Sequence, residues 1–320
     1  MATGIGLASF LGLGEEGTYG TAVARDLFLY HNGESIKPSE NRPESPALYR
    51  VSRHAARRVL GNVSLAGDFS FNPGHNYKAW TRILKHTLGA VSTSQPDVTT
   101  APTAYRHTFT PADTLPTGLS IEIGKDVLAH LHSGCKITGL RMSGAAGELM
   151  DVSASVIGRE TTSISPSGPS LTEGTLIVLT NTVISWNGVN QSVTDFNVSI
   201  DNGLVQRFFT NSRYSSEPLR NAKRRVSGSF TIELENATLY SDFRNATKRE
   251  LIITCTGDTI AGAYAYETKI TLPVSELTDA FAQADKEGPL MIPCSFESFI
   301  NSGNSSEVTV RVTNEQSAAT

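Results

Sequence analysis

Alternating apolar and polar positions dominate this chain and predict short β-strands. In residues 57–65 and again in residues 224–232, apolar side chains or glycine occupy every second position from the third residue onward. Successive side chains of a strand point to opposite faces, so each run presents one apolar face. Both runs open with the same pattern, Arg-Arg-Val-x-Gly.

Each of these two strands is followed by a segment with helical periodicity. The first helix is predicted to begin at Asn72, with Pro73 in its first turn, and the second is predicted to begin at Asn236. Their apolar stripes, at spacings of three and four residues, are Tyr77, Trp80 and Leu84 in the first helix and Leu239, Tyr240 and Phe243 in the second.

The strand-and-helix unit occurs twice, and its two copies begin 167 positions apart, at Arg57 and Arg224. A repeat of this length indicates a duplicated domain, because solenoid repeats run to about 20–50 residues. Chance similarity between two short segments is the alternative. A Ser/Thr/Pro-rich loop at residues 160–170 separates the copies. We therefore expect an N-terminal module over residues 1–165 and a C-terminal module over residues 166–320.

Composition supports a mainly β fold. Serine and threonine together occupy 68 of the 320 positions, and 27 glycines and 14 prolines add turn-forming residues. Further strands are predicted at residues 119–123, 136–142, 149–157, 196–200, 260–272, 292–299 and 308–312.

Side chains that could carry catalysis or bind a cofactor are sparse. The three cysteines are too few and too far apart for a disulfide framework or a zinc site. His130 and His132 share a strand face, but no third metal ligand lies at a useful spacing. The sequence therefore predicts no enzyme, no cofactor and no metal site. No apolar run approaches the roughly 18 residues of a membrane span, so no membrane partner is expected.

Two basic stretches stand out in a chain whose net charge is −4. One interpretation is a surface that binds double-stranded DNA, and the other is a set of contacts with acidic loops of neighbouring subunits or with solvent. The acidic net charge favours the second interpretation. The candidate inter-subunit or inter-ring contacts are Arg50, Arg53, Arg57, Arg58, Arg213, Arg220, Arg224 and Arg225.

Several segments together resemble the tail tube (major tail) proteins of long-tailed bacteriophages. The opening of that family, Gly-x-Glu-Glu-x-x-Tyr-Gly-Thr, is similar to residues 14–21 of this chain, Gly-Glu-Glu-Gly-Thr-Tyr-Gly-Thr, although Gly17 stands where many relatives carry a hydroxyl residue. Further similar segments follow in the family's order, and the resemblance covers nearly the whole chain: residues 134–137, 147–158, 196–204, 272–274 and 308–314.

The resemblance implies two tandem β-sandwich or barrel modules, each with one flanking short α-helix. In the two-domain branch of the family, three chains form a ring of six modules, and stacked rings form the tube through which DNA is ejected. The implied partners are other copies of the chain, the tape measure protein, the tail terminator and the tail-tip proteins, with duplex DNA passing through the lumen without specific binding. The implied location is the virion tail, after assembly in the host cytoplasm.

Other functions remain open on the sequence alone. A tail-end adaptor or a capsid decoration protein would also be a β-rich virion component, but an adaptor forms one ring where a tube subunit forms many. A carbohydrate-binding sandwich would present aromatic side chains on one exposed face. Here Trp80 lies in a helical stripe and Trp186 stands alone.

Overall fold

The computed structural model describes residues 5–45, 58–74, 76–171, 174–282, 287–300, 303 and 306–319. Within these residues the fold is mainly β, with two α-helices and almost exclusively antiparallel pairing between strands. The predicted fold class is therefore confirmed.

Twenty-one strands and two helices follow one another in the described part of the chain. The helices are α1 (Tyr77–Leu88) and α2 (Thr238–Arg244), and 3-10 turns lie at Gly6–Ala8 and Leu179–Asn181. The strands up to the loop between the halves are β1 (Ser9–Glu15), β2 (Leu27–Leu29), β3 (Gly33–Glu34), β4 (Lys37–Glu40), β5 (Val63–Phe71), β6 (Gly89–Ser94), β7 (Tyr105–Pro111), β8 (Leu119–Lys125), β9 (Leu128–Ala145), β10 (Asp151–Gly158) and β11 (Glu160–Ile164). The later strands are β12 (Thr182–Trp186), β13 (Val189–Gln191), β14 (Val193–Asp201), β15 (Leu204–Arg207), β16 (Ser216–Arg220), β17 (Arg225–Glu233), β18 (Arg249–Ala261), β19 (Tyr264–Ala280), β20 (Met291–Ser298) and β21 (Thr309–Asn314).

Eight strands form one continuous antiparallel sheet that crosses both halves of the chain. Their spatial order is β4, β5, β10, β9, β14, β17, β20 and β19. The first four strands come from the first half and the last four from the second. The β9–β14 pairing, from Gly139–Asp201 to Ala145–Asp195, joins the two halves.

The pairing pattern of the first half recurs in the second half. Strand β8 pairs with β1 and β9, and β9 also pairs with β11 and β10. In the same way β18 pairs with β12 and β19, and β19 also pairs with β21 and β20. The loops differ: the first half inserts the β6–β7 hairpin after its helix, and the second half inserts the β15–β16 hairpin before β17.

Irregularities in the ladders recur with the pattern. Thr138 of β9 is skipped because Ile137 pairs with Val156 while Gly139 pairs with Ser155. Thr278 of β19 is skipped in the same way, since its neighbours on either side pair with consecutive residues of β20. A bulge adds one residue to one strand. Each of these bulges follows the part of the strand that pairs with β8 and β11, in β9, or with β18 and β21, in β19.

The register of these strands corrects the repeat that the sequence suggested. Residues 59–62 precede β5, so the predicted first strand begins only at Val63. Phe71 pairs with the second residue of β10, and Ile232 pairs with the second residue of β20. The segment 65–71, Leu-x-Gly-x-Phe-x-Phe, is therefore the counterpart of residues 226–232, Val-x-Gly-x-Phe-x-Ile. Gly67 matches Gly228, and the alignment through Gly61 is wrong by six positions.

Helix starts also differ from the expectation. Helix α1 begins after Asn76, and the predicted cap Asn72 instead donates its side-chain amide to the carbonyl of Met150 at 2.9 Å. In the second half the Asn236 side chain accepts a hydrogen bond from the first helical amide, that of Thr238, at 2.9 Å. The predicted strand over 260–272 is two strands, because Gly262 turns the chain at a φ of 58°.

One cluster of buried apolar side chains extends through both halves. The inner faces of the eight-stranded sheet supply much of it, including Phe69, Phe230 and Phe296. From helix α1 the fully buried Trp80, together with its neighbours on the same stripe, closes the core on the other side. The sheet thus keeps one apolar face inside and leaves the opposite face to solvent.

Candidate functional site

The solvent-facing side of the eight-stranded sheet is an array of small polar side chains. Cross-strand partners run in a row across it: Ser70 faces Ser153, which faces Arg141, which faces Ser199, which faces Ser227. None of these five residues is buried. We call this surface the polar sheet face. Its uncovered small hydroxyl residues on the six inner strands are Ser64, Ser70, Ser143, Ser153, Ser155, Ser199, Ser227, Ser229, Thr231 and Ser295.

Alternation along each strand produces this surface. In β10 the outward residues are partly exposed, while Val152, Ala154 and Val156 between them are almost fully buried. Strands β14 and β17 follow the same rule. A one-residue slip of any of these strands would place serines in the core and branched apolar residues in water, so the register is strongly specified.

Negative charge predominates on the polar sheet face. Its two exposed arginines on the six inner strands are Arg141 and Arg225, and Arg141 donates to the side-chain oxygen of Asn197 at 2.9 Å. The carboxylates on the same strands outnumber them: Asp68, Asp151, Asp195, Asp201, Glu233 and Glu297. Such a surface repels phosphate groups and offers no apolar area for a protein partner to bury.

A family model for phage tail tube proteins matches residues 6–298. This chain belongs to the phage tail tube protein family. No curated protein matches the chain. Members of this family are structural components of the virion tail and are not enzymes. Among the described residues, no helix is long and apolar enough to cross a membrane.

The acidic motif near the start of this tube protein serves the fold. The carboxylate of Glu16 is only 2% exposed and accepts three hydrogen bonds of 2.8 Å, from the backbone amides of Gly20 and Gly134 and from the hydroxyl of Ser120. It thereby fixes the turn that follows β1 against β8 and β9. Both glycines have positive φ values, 74° and 64°, and lie against Arg159, so a side chain at either position would clash.

The candidate arginines do not form one cluster. Arg224 is nearly buried: it donates to the side-chain oxygen of Asn202 at 2.9 Å, to the carbonyl of Ala112 at 3.2 Å and to Glu307 at 3.2 Å. These contacts connect the β6–β7 hairpin with the second half, so Arg224 is engaged inside the chain.

Arg213 and Arg58 lie near the first strands of the sheet. Arg213 donates to Glu40 of β4 at 2.9 Å and to the carbonyl of Gly61 at 3.0 Å, which attaches a loop of the second half to the first half. Arg58 forms an exposed ion pair with Glu44. The guanidinium groups of both keep substantial exposure to solvent.

Arg225 and Arg220 lie further along the sheet. Arg225 is exposed opposite Asp201 on the polar sheet face. Arg220 ends β16, and its buried Nε has no hydrogen-bond partner among the described residues. Arg50, Arg53 and Arg57 lie outside the described residues.

The polar sheet face itself was missed in the sequence. Its signal was the recurring Ser-x-Ser spacing in segments such as 153–155 and 227–229, which marks one polar strand face. The composition showed the abundance of serine but not that the serines of six strands meet on one surface.

Proposed function

We propose that this protein assembles into stacked rings that form the phage tail tube, and that the polar sheet face lines the channel. The observation that carries the proposal is the surface itself. It spans eight strands, holds small hydroxyl and carboxylate side chains, and presents no large apolar side chain beyond single residues near its margin. A conduit for DNA needs such a wall, because small side chains leave the bore open and carboxylates repel phosphate.

The repeated pairing pattern supports tandem modules over residues 1–165 and 166–320. Each module contributes four strands to the sheet, and each keeps its own helix on the side away from the polar face. Three chains would then supply six modules to a ring. Rotational symmetry makes each contact between chains heterologous, and a ring results because the rotation closes.

The charge of the ring favours free passage of duplex DNA. Three chains of net charge −4 carry about −12 in all. A basic lining would bind DNA, because its contacts with phosphates release counterions from the DNA. An acidic lining makes no such contacts, so DNA would gain no binding free energy from it. Arg58, Arg213 and Arg220 lie at the ends of strands or in loops, with Arg58 exposed and the other two half-buried. We propose them, with Arg225 and the undescribed Arg50, Arg53 and Arg57, as contacts between chains or rings. The tape measure, terminator and tip proteins are the partners expected of a tail tube.

Electron microscopy of the purified protein in negative stain tests this function. We expect rings or tubes with a central channel, and we expect their yield to fall in high salt because repeated exposed ion pairs are screened. Sedimentation with labelled duplex DNA at physiological salt should leave the DNA in the supernatant. Persistent monomers would refute the assembly, single rings that never stack would favour an adaptor, and micromolar DNA binding with a steep salt dependence would refute the acidic lining.

A further inference from the structure

The junction between the two halves of one chain has two parts. In the sheet, the end of β9 pairs with β14, and the amide of Asn202 donates to the carbonyl of the bulged Thr138 at 2.7 Å. Beside the sheet, residues 177–181 cover the first half: the amide of Leu179 donates to Glu148 at 2.9 Å, and Ile177 accepts from Met150 at 3.2 Å. Met150 is consequently only 1% exposed. We call this junction the internal seam.

The counterparts of both strands lie at the two ends of the sheet. The pairing pattern makes β19 the counterpart of β9, with Thr278 in the place of Thr138. It makes β3 and β4 together the counterpart of β14. Strands β3 and β4 pair with β5, which precedes α1, and β14 pairs with β17, which precedes α2. Within the described residues, the outer edge of β4 and the edge of β19 beyond Thr278 pair with no other strand.

The structure assigns these two edges to each other in neighbouring copies. We propose that the end of β19 in one chain pairs antiparallel with β4 of the next chain, in the register of the internal seam. In that register Asp279 lies opposite Ser39, as Gly139 lies opposite Asp201, and Ala280 lies opposite Pro38. This proposal deepens the ring assembly proposed above and rests on it. The occupant is a second copy of this chain.

Exposed apolar side chains at the far end of β19 support the same occupant. Leu290 is the counterpart of Met150 but is 37% exposed, and Phe281, which follows the last residue of β19, is 55% exposed. Tyr240 of α2 is 40% exposed and its ring lies 6.2 Å from that of Phe281. In the first half, residues 177–181 cover the corresponding place. Nothing among the described residues of the same chain covers it in the second half.

The segment that would cover this patch lies just before β1 of the next copy. The 3-10 turn at Gly6–Ala8 precedes β1 as the turn at Leu179–Asn181 precedes β12. Two apolar side chains at this turn are exposed: Ile5, just before it, is 61% exposed, and Leu7, within it, is 99% exposed. Burying them against Phe281 and Leu290 removes apolar surface from water on both copies.

Charge and backbone chemistry at the two edges are compatible with this pairing. Glu276 and Asp279 are acidic, and Lys37 of β4 would lie diagonally across from Asp279. The amides of Ser35 and Asn41 point to β5, so alternation directs the nitrogen of Pro38 to the open edge. Because proline has no N–H, this edge is a poor partner for unrelated strands. The pairing between chains would also have one backbone hydrogen bond fewer than the pairing within the chain.

Disulfide trapping tests the register. Ser39→Cys with Asp279→Cys places two thiols at the closely spaced, non-hydrogen-bonded type of cross-strand pair. The three native cysteines are buried and do not compete. The positive control is Gly139→Cys with Asp201→Cys, which should close a disulfide within one chain. The register control is Ser39→Cys with Glu276→Cys, three residues away.

Oxidised assemblies are analysed on a denaturing gel without reductant. We expect the Ser39/Asp279 variant to give a ladder that ends at three chains and collapses to one chain on reduction, with at least tenfold less product from the register control. If tubes form but only the control within one chain cross-links, the edge pairing is wrong and the tube function stands. If no assemblies form in any variant or in the unmodified protein, the proposed function itself fails.

Discussion

The two halves share a strand pattern but differ in how they are filled. Helix α1 has 12 residues, nine of them buried, whereas α2 has seven residues and buries only Leu239 and Asp242. All seven histidines lie in the first half, and the second half has none. The first half therefore carries the deeper core and every imidazole side chain of the protein.

Helix α1 is more deeply buried than α2 because it packs against residues of both halves. The indole nitrogen of Trp80 donates to the hydroxyl of Thr268 in β19 at 3.4 Å, and the hydroxyl of Thr81 contacts the side-chain oxygen of Gln316 at 2.9 Å. Helix α2 contacts chiefly β19 of its own half. One helix thus joins the halves, and the other leaves Tyr240 40% exposed to solvent.

Removing the central side chain of each helix gives the largest expected contrast. We expect Trp80→Ala to lower the free energy of unfolding by about 3–5 kcal/mol, because a fully buried indole leaves a cavity between the halves. Tyr240→Ala, on the exposed side of α2, should cost less than about 1 kcal/mol in the unassembled chain. Guanidinium unfolding followed by tryptophan-independent far-UV dichroism measures both. Equal losses would mean that α1 does not join the halves.

Acid should destabilise the first half selectively. Burial, reinforced by the neighbouring charge of His130, lowers the pKa of His132 to about 4, and burial also lowers the pKa values of His86 and His107. Below the unfolded pKa of about 6.5 the unfolded chain binds the proton and the folded chain does not. Stability is therefore present above pH 6.5 and is lost as the pH falls toward 4, by about 3 kcal/mol for His132 alone.

Hydrogen exchange at pH 7 and pH 4.5 locates this effect. Amides of β8 and β9 should lose protection at the lower pH well before those of β18 and β19. His132→Gln cannot titrate and should flatten the pH dependence of unfolding, while its Thr161 hydrogen bond of 2.8 Å can be kept by the amide. A uniform loss of protection in both halves would contradict the assignment to the first half.

Local alternation and helical spacing were sufficient to predict both helices and about half of the strands. The stripe through Trp80 and Leu84 identified α1, and the strands at 119–123, 136–142, 196–200, 292–299 and 308–312 all lie on observed strands or overlap them. The repeat was detected but misaligned, because the pattern Arg-Arg-Val-x-Gly was matched to Gly61 when the matching strand contains Gly67. A glycine two residues before a phenylalanine in both strands was the more informative match.

Contacts distant in sequence could not be predicted from the chain alone. The polar sheet face depends on β9 and β14 becoming neighbours, and nothing in either strand specifies that partner. Arg224 illustrates the same limit: its neighbours in sequence are exposed, but its three partners lie 22, 83 and 112 positions away and bury it. Density of charge along the sequence therefore did not distinguish an internal arginine from an exposed one.

Comparing Arg213 with Arg224 gives the smallest expected effect and tests the remaining candidates. Arg213 joins a loop of the second half to Glu40 through an ion pair that is partly exposed to solvent. Because exposed ion pairs stabilise a fold only weakly, Arg213→Ala should lower the melting temperature of the unassembled chain by no more than about 3 °C. Arg224→Ala leaves the buried carboxylate of Glu307 without its ion pair. This substitution should therefore lower the melting temperature several times more than Arg213→Ala does. If Arg213 is also a contact between chains, its variant should reduce tube yield far more than it reduces melting temperature. A loss of yield that only follows the small loss of stability would assign Arg213 to the fold of the single chain.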